Sequence, residues 1–297
     1  MLPKLIVIAG TNASGKSGLG IELAARYGGE VVSADSRQVF RGLDLGSGKI
    51  TPEETKGVPH HLIDVVDAGQ FYSMADFQKQ AYEAIDDIIA RGKIPFLVGG
   101  TGLYVASVAD GYVMSDRMPD LAYRNELEKL STEELYIMLK KVVPDTDVDA
   151  RNRNRVMRVL EKIHDGDDIT PSKEPRYQTL RLGVTWDRDI LRQRIDERLD
   201  RRLEQGMIEE VDNLLKSGVS ETFMIKLGLE YKFITQYLKG EYSCLEEMKE
   251  LLATAIKQFA KRQMTWFRRD SAIQWMDMTA DPISQACEKI DGFLMDP

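Results

Sequence analysis

Cysteine and histidine are scarce in this chain of 297 residues. Its two cysteines, Cys244 and Cys287, lie far apart, and only three histidines are present. This excludes a disulfide framework and a zinc finger, because both need several such residues at short, regular spacing. Long apolar runs are also missing, and none approaches the roughly 18 residues that a membrane helix requires. We therefore expect a cytoplasmic chain with no membrane partner, and we expect it to act as a monomer.

Positive charge is in deficit, since 40 Lys and Arg face 48 Asp and Glu for a net charge of -8. A broad nucleic-acid surface is therefore not expected, because phosphate contacts need Lys and Arg. The basic residues are nevertheless concentrated in two segments that contain no acid, residues 151–158 and 257–269. These segments indicate either local contact with RNA or helix faces that are only solvated.

Apolar runs alternate with amphipathic helical patterns along much of the chain. This alternation predicts an α/β fold, in which a parallel sheet of the P-loop type is covered by helices. The predicted strands are residues 5–9, 31–34, 61–66, 94–98, 181–186 and 273–276, and the clearest predicted helices are 16–27, 73–91 and 188–204.

Residues 112–180 lack a clear strand pattern, although they contain helical stretches. We therefore predict an inserted helical subdomain over 112–180, and a catalytic core formed by residues 1–111 and 181–297. Two capping boxes predict helix starts, one from Ser73 to Asp76 and one from Ser243 to Glu246. Asp281 followed by Pro282 predicts the start of the last helix.

A glycine-rich segment between the first strand and the first helix fits the pattern G-x-x-x-x-G-K-[ST]. Its glycines let successive backbone N–H groups face phosphate oxygens, and Lys16 adds a full positive charge. The Ser17 hydroxyl is a candidate ligand for Mg²⁺. The segment predicts a site for a phosphorylated ligand, formed by Gly10, Thr11, Asn12, Ala13, Ser14, Gly15, Lys16 and Ser17.

The acidic residue that usually accompanies this motif is missing from the strand at residues 94–98, which ends in Gly-Gly-Thr. Asp35, at the end of the second strand, is the acidic candidate, because the carboxyl ends of parallel strands face the ligand crevice. Its carboxylate can serve as a metal ligand, as a cap for the following turn, or as a base that accepts a proton.

Asp35 lies in the segment VSADSRQVFRG, residues 32–42. Together with GTNASGKS, HHLIDVVD, FLVGGTGLY and AKRQMTWFRR, in this order along nearly the whole chain, this segment resembles the tRNA dimethylallyltransferases. The resemblance implies a P-loop fold that binds dimethylallyl pyrophosphate rather than ATP. It also implies transfer of the dimethylallyl group to N6 of the adenosine at tRNA position 37, and a helical insertion that holds the anticodon stem-loop.

Residue by residue, the resemblance implies that Asp35 is the base at the adenine amine. Lys16 and Ser17 would bind the pyrophosphate and its Mg²⁺. The resemblance also implies a set of residues at the tRNA, namely Ser36, Arg37 and Gln38 around the extruded base, with Thr101, Arg124, Asn154, Arg155, Val156, Met157 and Arg158.

The chain departs from the family pattern at two motifs. Thr11 and Asn12 replace the usual Pro-Thr, and residues 225–232 lack the usual arginine, for which Lys226 is the nearest substitute. Three alternatives stay open: a P-loop kinase for a small molecule or nucleotide, a prenyltransferase for free adenine nucleotides, and an RNA-binding module with a vestigial P-loop.

Overall fold

The computed structural model describes residues 2–114, 120–170 and 172–296. Within it the chain forms two compact units, a larger one made of the segments up to Gly111 and from Pro175, and a smaller one from Tyr112 to Glu174. The strands are β1 (Lys4–Ala9), β2 (Glu30–Ser33), β3 (Phe40–Arg41), β4 (His60–His61), β5 (Val66–Asp67), β6 (Pro95–Gly99), β7 (Gln178–Thr185) and β8 (Ile273–Asp277). The helices are α1 (Lys16–Arg26), α2 (Met74–Ala90), α3 (Gly102–Ala109), α4 (Leu121–Glu128), α5 (Thr132–Val142), α6 (Arg153–His164), α7 (Arg188–Glu204), α8 (Met207–Lys216), α9 (Glu221–Leu227), α10 (Leu229–Leu238), α11 (Leu245–Phe267) and α12 (Pro282–Met295).

A six-stranded parallel sheet forms the centre of the larger unit, in the order β4-β2-β6-β1-β7-β8. In β1, residues 5–9 are fully buried, as expected for a strand covered on both faces. Ile6 pairs with Phe96 on one side and with Leu180 on the other. The predicted α/β class with a parallel, helix-covered sheet is confirmed.

Two hydrophobic clusters cover the two faces of this sheet. One includes Phe77 and Ile85 of α2 and Val105 of α3, and the other includes Leu23 of α1 and Ile290 of α12. The helices therefore cover both faces of the sheet. Because β1, β2 and β6 pair in parallel, their carboxyl ends lie at one edge.

A third cluster is formed mainly by α7 to α11 and covers this edge. It contains Leu199, Met224 and Leu252 from those helices, together with Ala13 from the loop after β1 and Val39 from the segment after β2. The helices therefore pack directly on the loops that follow the strands and form part of the wall of the crevice expected at the strand ends.

Strand β7 begins at Gln178, three residues before the predicted start, and residues 178–180 pair with β1. The predicted insertion, 112–180, therefore includes the first residues of a core strand. The reason is physical: Leu180 is apolar and buried, but the polar pair before it hides the start of the strand in the sequence.

The predicted single strand at residues 61–66 is wrong. Two separate two-residue strands occur there, with β4 pairing with β2 in the large sheet and β5 pairing with β3 in a small sheet. Leu62 and Asp64 have φ values of 62° and 56°, in the left-handed region, which interrupts the extended backbone between β4 and β5.

Helix starts follow local signals in most places. The capping box at Ser73 and Asp76 is present, and Asp281 caps α12 with Pro282 in the first turn. The predicted box at the start of α11 is wrong, because Cys244 is the N-cap and its side chain caps nothing. The backbone N–H and the hydroxyl of Ser243 instead donate to Glu247, at 2.7 and 2.6 Å.

The smaller unit packs α4, α5 and α6 around an apolar core that includes Leu127, Leu135, Leu139 and Leu160. Within the described ranges, none of the helices of either unit combines the length and the apolar character that a membrane span requires.

Candidate active site

The loop between β1 and α1 curls through two residues in the left-handed region. Gly15 caps α1 with φ 84°, a value that glycine adopts without strain, and Ala13 has φ 59°. The partially positive N-terminus of α1 therefore begins directly at Lys16. The predicted succession of strand, glycine-rich loop and helix is confirmed.

Side chains from distant elements hold this loop in place. The Trp186 indole N–H donates to the Ser14 carbonyl at 2.7 Å, and the Arg194 Nε donates to the Ala13 carbonyl at 3.0 Å. The Arg194 guanidinium also lies 4.4 Å from the Trp186 ring centroid. Both loop carbonyls are thus satisfied from outside the loop, which stabilises its curled conformation before any ligand binds.

Gln263 of α11 holds the loop from the other side. Its Oε1 accepts from the Asn12 backbone N–H at 2.9 Å, and its Nε2 donates to the Gly100 carbonyl at 2.8 Å. A buried amide with both ends bound is well ordered. Gln263 therefore links the glycine-rich loop to the turn between β6 and Thr101.

A cavity of about 260 Å³ lies beside the loop, and among its charged lining residues four are basic and two are acidic. A second, smaller cavity adjoins it and shares Asn12, Ala13, Asp35, Ser47 and Arg198 with it. The larger cavity is lined by Asn12, Ala13, Ser14, Gly15, Lys16, Ser17, Asp35, Gln38, Ser47, Gly48, Arg194, Glu197, Arg198 and Arg201.

Two basic groups at this cavity have lowered pKa values, and burial is the main cause in both. Burial, with repulsion from Arg198 and Arg202 and against the attraction of Asp35, lowers the pKa of Lys16 to about 8. Burial and the adjacent Arg202 lower the pKa of Arg198 to about 10. Cations that disfavour one another in a confined space bind an anion strongly, so the cavity suits a polyanionic ligand.

Asp35 follows β2 and borders both cavities. Its Oδ1 accepts the backbone N–H groups of Arg37 at 2.9 Å and Gln38 at 3.4 Å, which caps the turn. In the described part of the chain, no donor lies within hydrogen-bonding distance of Oδ2. One oxygen of this carboxylate is therefore structural, and the other is available to a ligand.

Thr101 and Ser36 meet beside Asp35. The Thr101 hydroxyl accepts from the Ser36 backbone N–H at 3.0 Å, and it lies 3.3 Å from the Ser36 hydroxyl. Both residues line the smaller cavity. The structure thus brings together two residues that are 65 positions apart and that were both predicted to lie at the tRNA.

Arg37 and Gln38 are both engaged with protein groups. Arg37 donates to Glu230 Oε2 and to the Leu227 carbonyl, each at 3.0 Å. Gln38 donates to the Gly48 carbonyl at 3.2 Å and accepts from the Ser33 hydroxyl at 3.0 Å. These side chains line the site but are fixed by the protein, so a ligand meets them in set orientations.

The arginines of α7 lie at the site although no sequence motif predicted them there. Arg194, Arg198 and Arg202 are spaced by four residues, so they share one face of the helix, and all three border the cavities. The spacing was visible in the sequence. What the sequence alone could not indicate was that this face of α7 packs over the loop after β1.

Lys226, the predicted substitute for the missing arginine, is exposed at the end of α9 and is not among the residues that line either cavity. Glu230, four residues later, borders the smaller cavity and binds Arg37. Arg198 and Arg202 of α7 supply the positive charge near this point instead.

In the smaller unit, Arg124 and Arg158 converge on one buried acid. Arg158 donates to Glu161 Oε2 at 3.2 Å, and Arg124 lies 3.5 Å from Glu161 Oε1. Glu161 is 3% exposed, so it needs this pairing. Both arginines keep partly exposed guanidinium groups, which Glu161 holds in place.

The predicted RNA-contacting segment of α6 divides between surface and core. Asn154 and Arg155 are exposed, whereas Val156 and Met157 are 0% and 5% exposed and belong to the core of the smaller unit. The side chains of Val156 and Met157 therefore have no surface for RNA, because the apolar face of an amphipathic helix is buried by packing.

The second basic segment forms the outer face of α11. Lys261, Arg262 and Trp266 are exposed, and Gln263 points inward to the glycine-rich loop. Trp266 is 40% exposed. Helix α11 therefore exposes basic and aromatic side chains on its outer face, and its buried Gln263 holds the glycine-rich loop.

The donor set at the site fits a hard cation only in part. Ser17 is exposed and, with Asp35, lines the cavity, so two oxygen donors are present. Among the residues that the structure describes, no group of three or more His, Cys, Asp or Glu side chains is placed to hold a metal. A cation at this site would need further oxygen ligands from a phosphate.

The sequence model of the IPP transferase family matches residues 38–270. The chain belongs to this family. It is 43% identical over 303 residues to a tRNA dimethylallyltransferase of Carboxydothermus hydrogenoformans, covering 98% of this chain and 97% of that one. It is 45% identical to tRNA dimethylallyltransferase 2 of Shewanella sediminis, with 96% of each chain covered.

Solved structures agree with this family membership. A tRNA isopentenylpyrophosphate transferase of Bacillus halodurans superposes with a TM-score of 0.74 at 39% identity, covering 98% of this chain and 95% of that one. A eukaryotic dimethylallyltransferase whose structure is described as acting on tRNA superposes with a TM-score of 0.82 at 29% identity, covering 99% and 79%. The resemblance inferred from the sequence motifs is confirmed.

Proposed function

We propose that this chain transfers the dimethylallyl group of dimethylallyl pyrophosphate to N6 of the adenosine at tRNA position 37, beside the anticodon. Membership of the IPP transferase family supports the reaction class. The observation that carries the site assignment is the position of Asp35, which borders both the arginine-rich cavity and the cavity that contains Thr101. One carboxylate thus lies between a place for the donor and a place for the acceptor.

The donor's pyrophosphate occupies the larger cavity, against the N-terminus of α1, Lys16 and Arg198. As the allylic C–O bond breaks, negative charge develops on the pyrophosphate, and these preorganised cations stabilise it in a partly dehydrated site. Ser17 Oγ and the pyrophosphate oxygens would together hold Mg²⁺, which supplies further charge neutralisation to the leaving group. The lowered pKa values of Lys16 and Arg198 support this assignment, since burial and neighbouring cations destabilise the charged form of both groups and a bound pyrophosphate would offset this.

The acceptor adenine occupies the smaller cavity beside Ser36 and Thr101. An exocyclic amine is a weak nucleophile, so it must be aligned with the allylic carbon and must lose a proton as the N–C bond forms. Asp35 Oδ2 accepts that proton, while Oδ1 keeps the turn in place. Arg37 and Gln38, each fixed by protein hydrogen bonds, border the base.

The adenosine must leave the stacked anticodon loop to reach this cavity. Arg155 and Arg158 on α6 and the outer face of α11 are basic surfaces suited to RNA phosphates. The exposed Trp266 is a candidate platform on which a nucleobase stacks. We infer that the partner is the anticodon stem-loop.

Incubation with Mg²⁺, isotopically labelled dimethylallyl pyrophosphate and total tRNA tests the proposal. After enzymatic digestion of the RNA, the label should be found in N6-prenylated adenosine. A parallel reaction with labelled ATP should show no turnover. Hydrolysis of ATP without labelled RNA would identify a P-loop kinase, and equal labelling of free AMP would identify an enzyme for free nucleotides.

A further inference from the structure

We propose that Glu210 of α8 is a positioning residue for the pyrophosphate site, and that it acts through residues 44–48 and Arg198. We refer to residues 44–48 as the 44–48 loop. The inference rests on the proposed function, because it assigns Arg198 to the donor. Glu210 itself lines neither of the two cavities at the site.

The carboxylate of Glu210 binds three consecutive backbone N–H groups. Its Oε2 accepts from Asp44 at 3.1 Å and from Leu45 at 2.6 Å, and its Oε1 accepts from Gly46 at 3.1 Å. The Tyr231 hydroxyl is a fourth donor, at 3.1 Å from Oε1. Consecutive N–H groups around one anion form a strong, orientation-specific clamp, because each hydrogen bond is charge-assisted.

The clamped loop ends at a carbonyl that two site residues share. The Gly48 carbonyl accepts from Arg198 Nη2 at 3.4 Å and from Gln38 Nε2 at 3.2 Å. Gly48 has φ 64°, and a Cβ there would lie 2.2 Å from Arg198 Nη2 and 1.5 Å from Arg202 Nη2. The guanidinium groups therefore pack directly on the loop backbone, and a shift of the loop moves them.

Arg198 depends on this contact more than a surface arginine would. Among the residues that the structure describes, the Gly48 carbonyl is the one acceptor within hydrogen-bonding distance of its guanidinium. Within the loop, the Gly48 N–H donates to the Leu45 carbonyl at 3.1 Å, and the Lys49 N–H donates to the Asp44 carbonyl at 3.0 Å, so residues 44–48 form one hydrogen-bonded turn. Glu210 supplies the directional restraint that keeps the Gly48 carbonyl in place.

Glu210→Gln tests this role, with Glu209→Gln as the matched control, since Glu209 is the exposed neighbour on the same helix. The amide keeps one acceptor oxygen but turns an NH₂ group toward the loop N–H groups. Loss of charge-assisted hydrogen bonds should raise the KM for dimethylallyl pyrophosphate about tenfold, and the Kd for inorganic pyrophosphate similarly, with kcat within about threefold. Glu209→Gln should match the wild type in all three.

A double-mutant cycle separates positioning from general stabilisation. Arg198→Ala alone should weaken donor binding. Adding Glu210→Gln to it should change the KM for the donor by less than about twofold, because Glu210 acts through the Arg198 side chain, which is then absent. Additive effects, or an unchanged KM in Glu210→Gln, would overturn the proposal. A fall in kcat that only follows the folded fraction, with KM unchanged, would overturn it too.

A milder variant covers the case in which Glu210→Gln does not fold. Tyr231→Phe removes one of the four donors to Glu210 and, as a single variant, should raise the KM for dimethylallyl pyrophosphate about threefold. The same substitution should not raise this KM when it is added to Arg198→Ala. The calorimetric Kd for pyrophosphate separates this inference from the proposed function. Wild-type protein that binds pyrophosphate but modifies no tRNA refutes the transfer reaction, and the Kd of each variant still decides the role of Glu210.

Discussion

Replacing Asp35 by asparagine separates the two roles that its carboxylate has at the site. Oδ1 accepts two backbone N–H groups, from Arg37 and Gln38, and Oδ2 has no protein donor among the described residues. Asparagine keeps an oxygen for the two turn bonds but cannot accept a proton. Alanine removes both the turn bonds and the proton acceptor.

The expected magnitudes follow from these contacts. A general base contributes about 10²- to 10⁴-fold to the rate, which corresponds to roughly 3 to 5 kcal/mol of activation free energy. Asp35→Asn should lose this whole factor from kcat while its free energy of unfolding changes by less than about 1 kcal/mol, since the turn bonds persist. Asp35→Ala should lose about the same from kcat and a further 1 to 3 kcal/mol of stability.

Single-turnover transfer to tRNA, measured below pH 7, is the suitable assay. At this pH Lys16 is protonated in the wild type, because its pKa is about 8. Loss of the Asp35 charge should therefore change donor binding only slightly. The donor's Kd from calorimetry is the control. An active Asn variant beside an inactive Ala variant would mean that orientation is the main contribution, and near-full turnover in both would refute the role of Asp35.

Three further predictions concern charge. First, kcat/KM for the donor should fall as the pH rises through about 8, because Lys16 then loses its proton; a flat profile up to pH 9 would contradict this. Second, Arg155→Ala should reduce the slope of log KM for tRNA against log salt concentration by about one. Lys141→Ala is the control, because Lys141 is exposed on the same unit, and an unchanged slope in Arg155→Ala would mean that Arg155 is only solvated. Third, Arg91, Lys93 and His61 surround buried Glu30 and hold its pKa far below 4.5. Glu30→Gln should therefore lose about 1 to 3 kcal/mol of unfolding free energy at neutral pH, a loss that disappears as the pH falls below 4.5.

The parts of the fold that local signals determine were predictable from the sequence. Helix α7 has the predicted bounds, residues 188–204, because Asp187 caps it and no glycine or proline interrupts it. The glycine-rich loop after β1 was equally clear. A strand buried on both faces reads as a continuous apolar run, and a phosphate loop needs glycine at fixed spacing.

Features that depend on tertiary packing were not predictable. The split of residues 61–66 into two strands depends on the positive φ values of Leu62 and Asp64, and the Asp64 N–H donates to the Gln38 carbonyl outside the segment at 3.1 Å. The arginines of α7 have a regular spacing, but only the packing of α7 over Ala13 brings them to the site. The burial of Val156 in the smaller unit likewise follows from packing on α4 and α5 rather than from its motif.

Transfer of the prenyl group from a pyrophosphate donor to one adenine amine can be measured on an isolated anticodon stem-loop. Mass spectrometry of the digested product should show a net gain of C₅H₈ on the fragment that contains position 37, because one C₅H₉ group replaces one hydrogen, and pyrophosphate should be released in equal amount. A stem-loop with purine riboside at that position, which lacks the exocyclic amine, should be unmodified. Modification of the purine riboside substrate, or pyrophosphate release without any gain in RNA mass, would contradict the account.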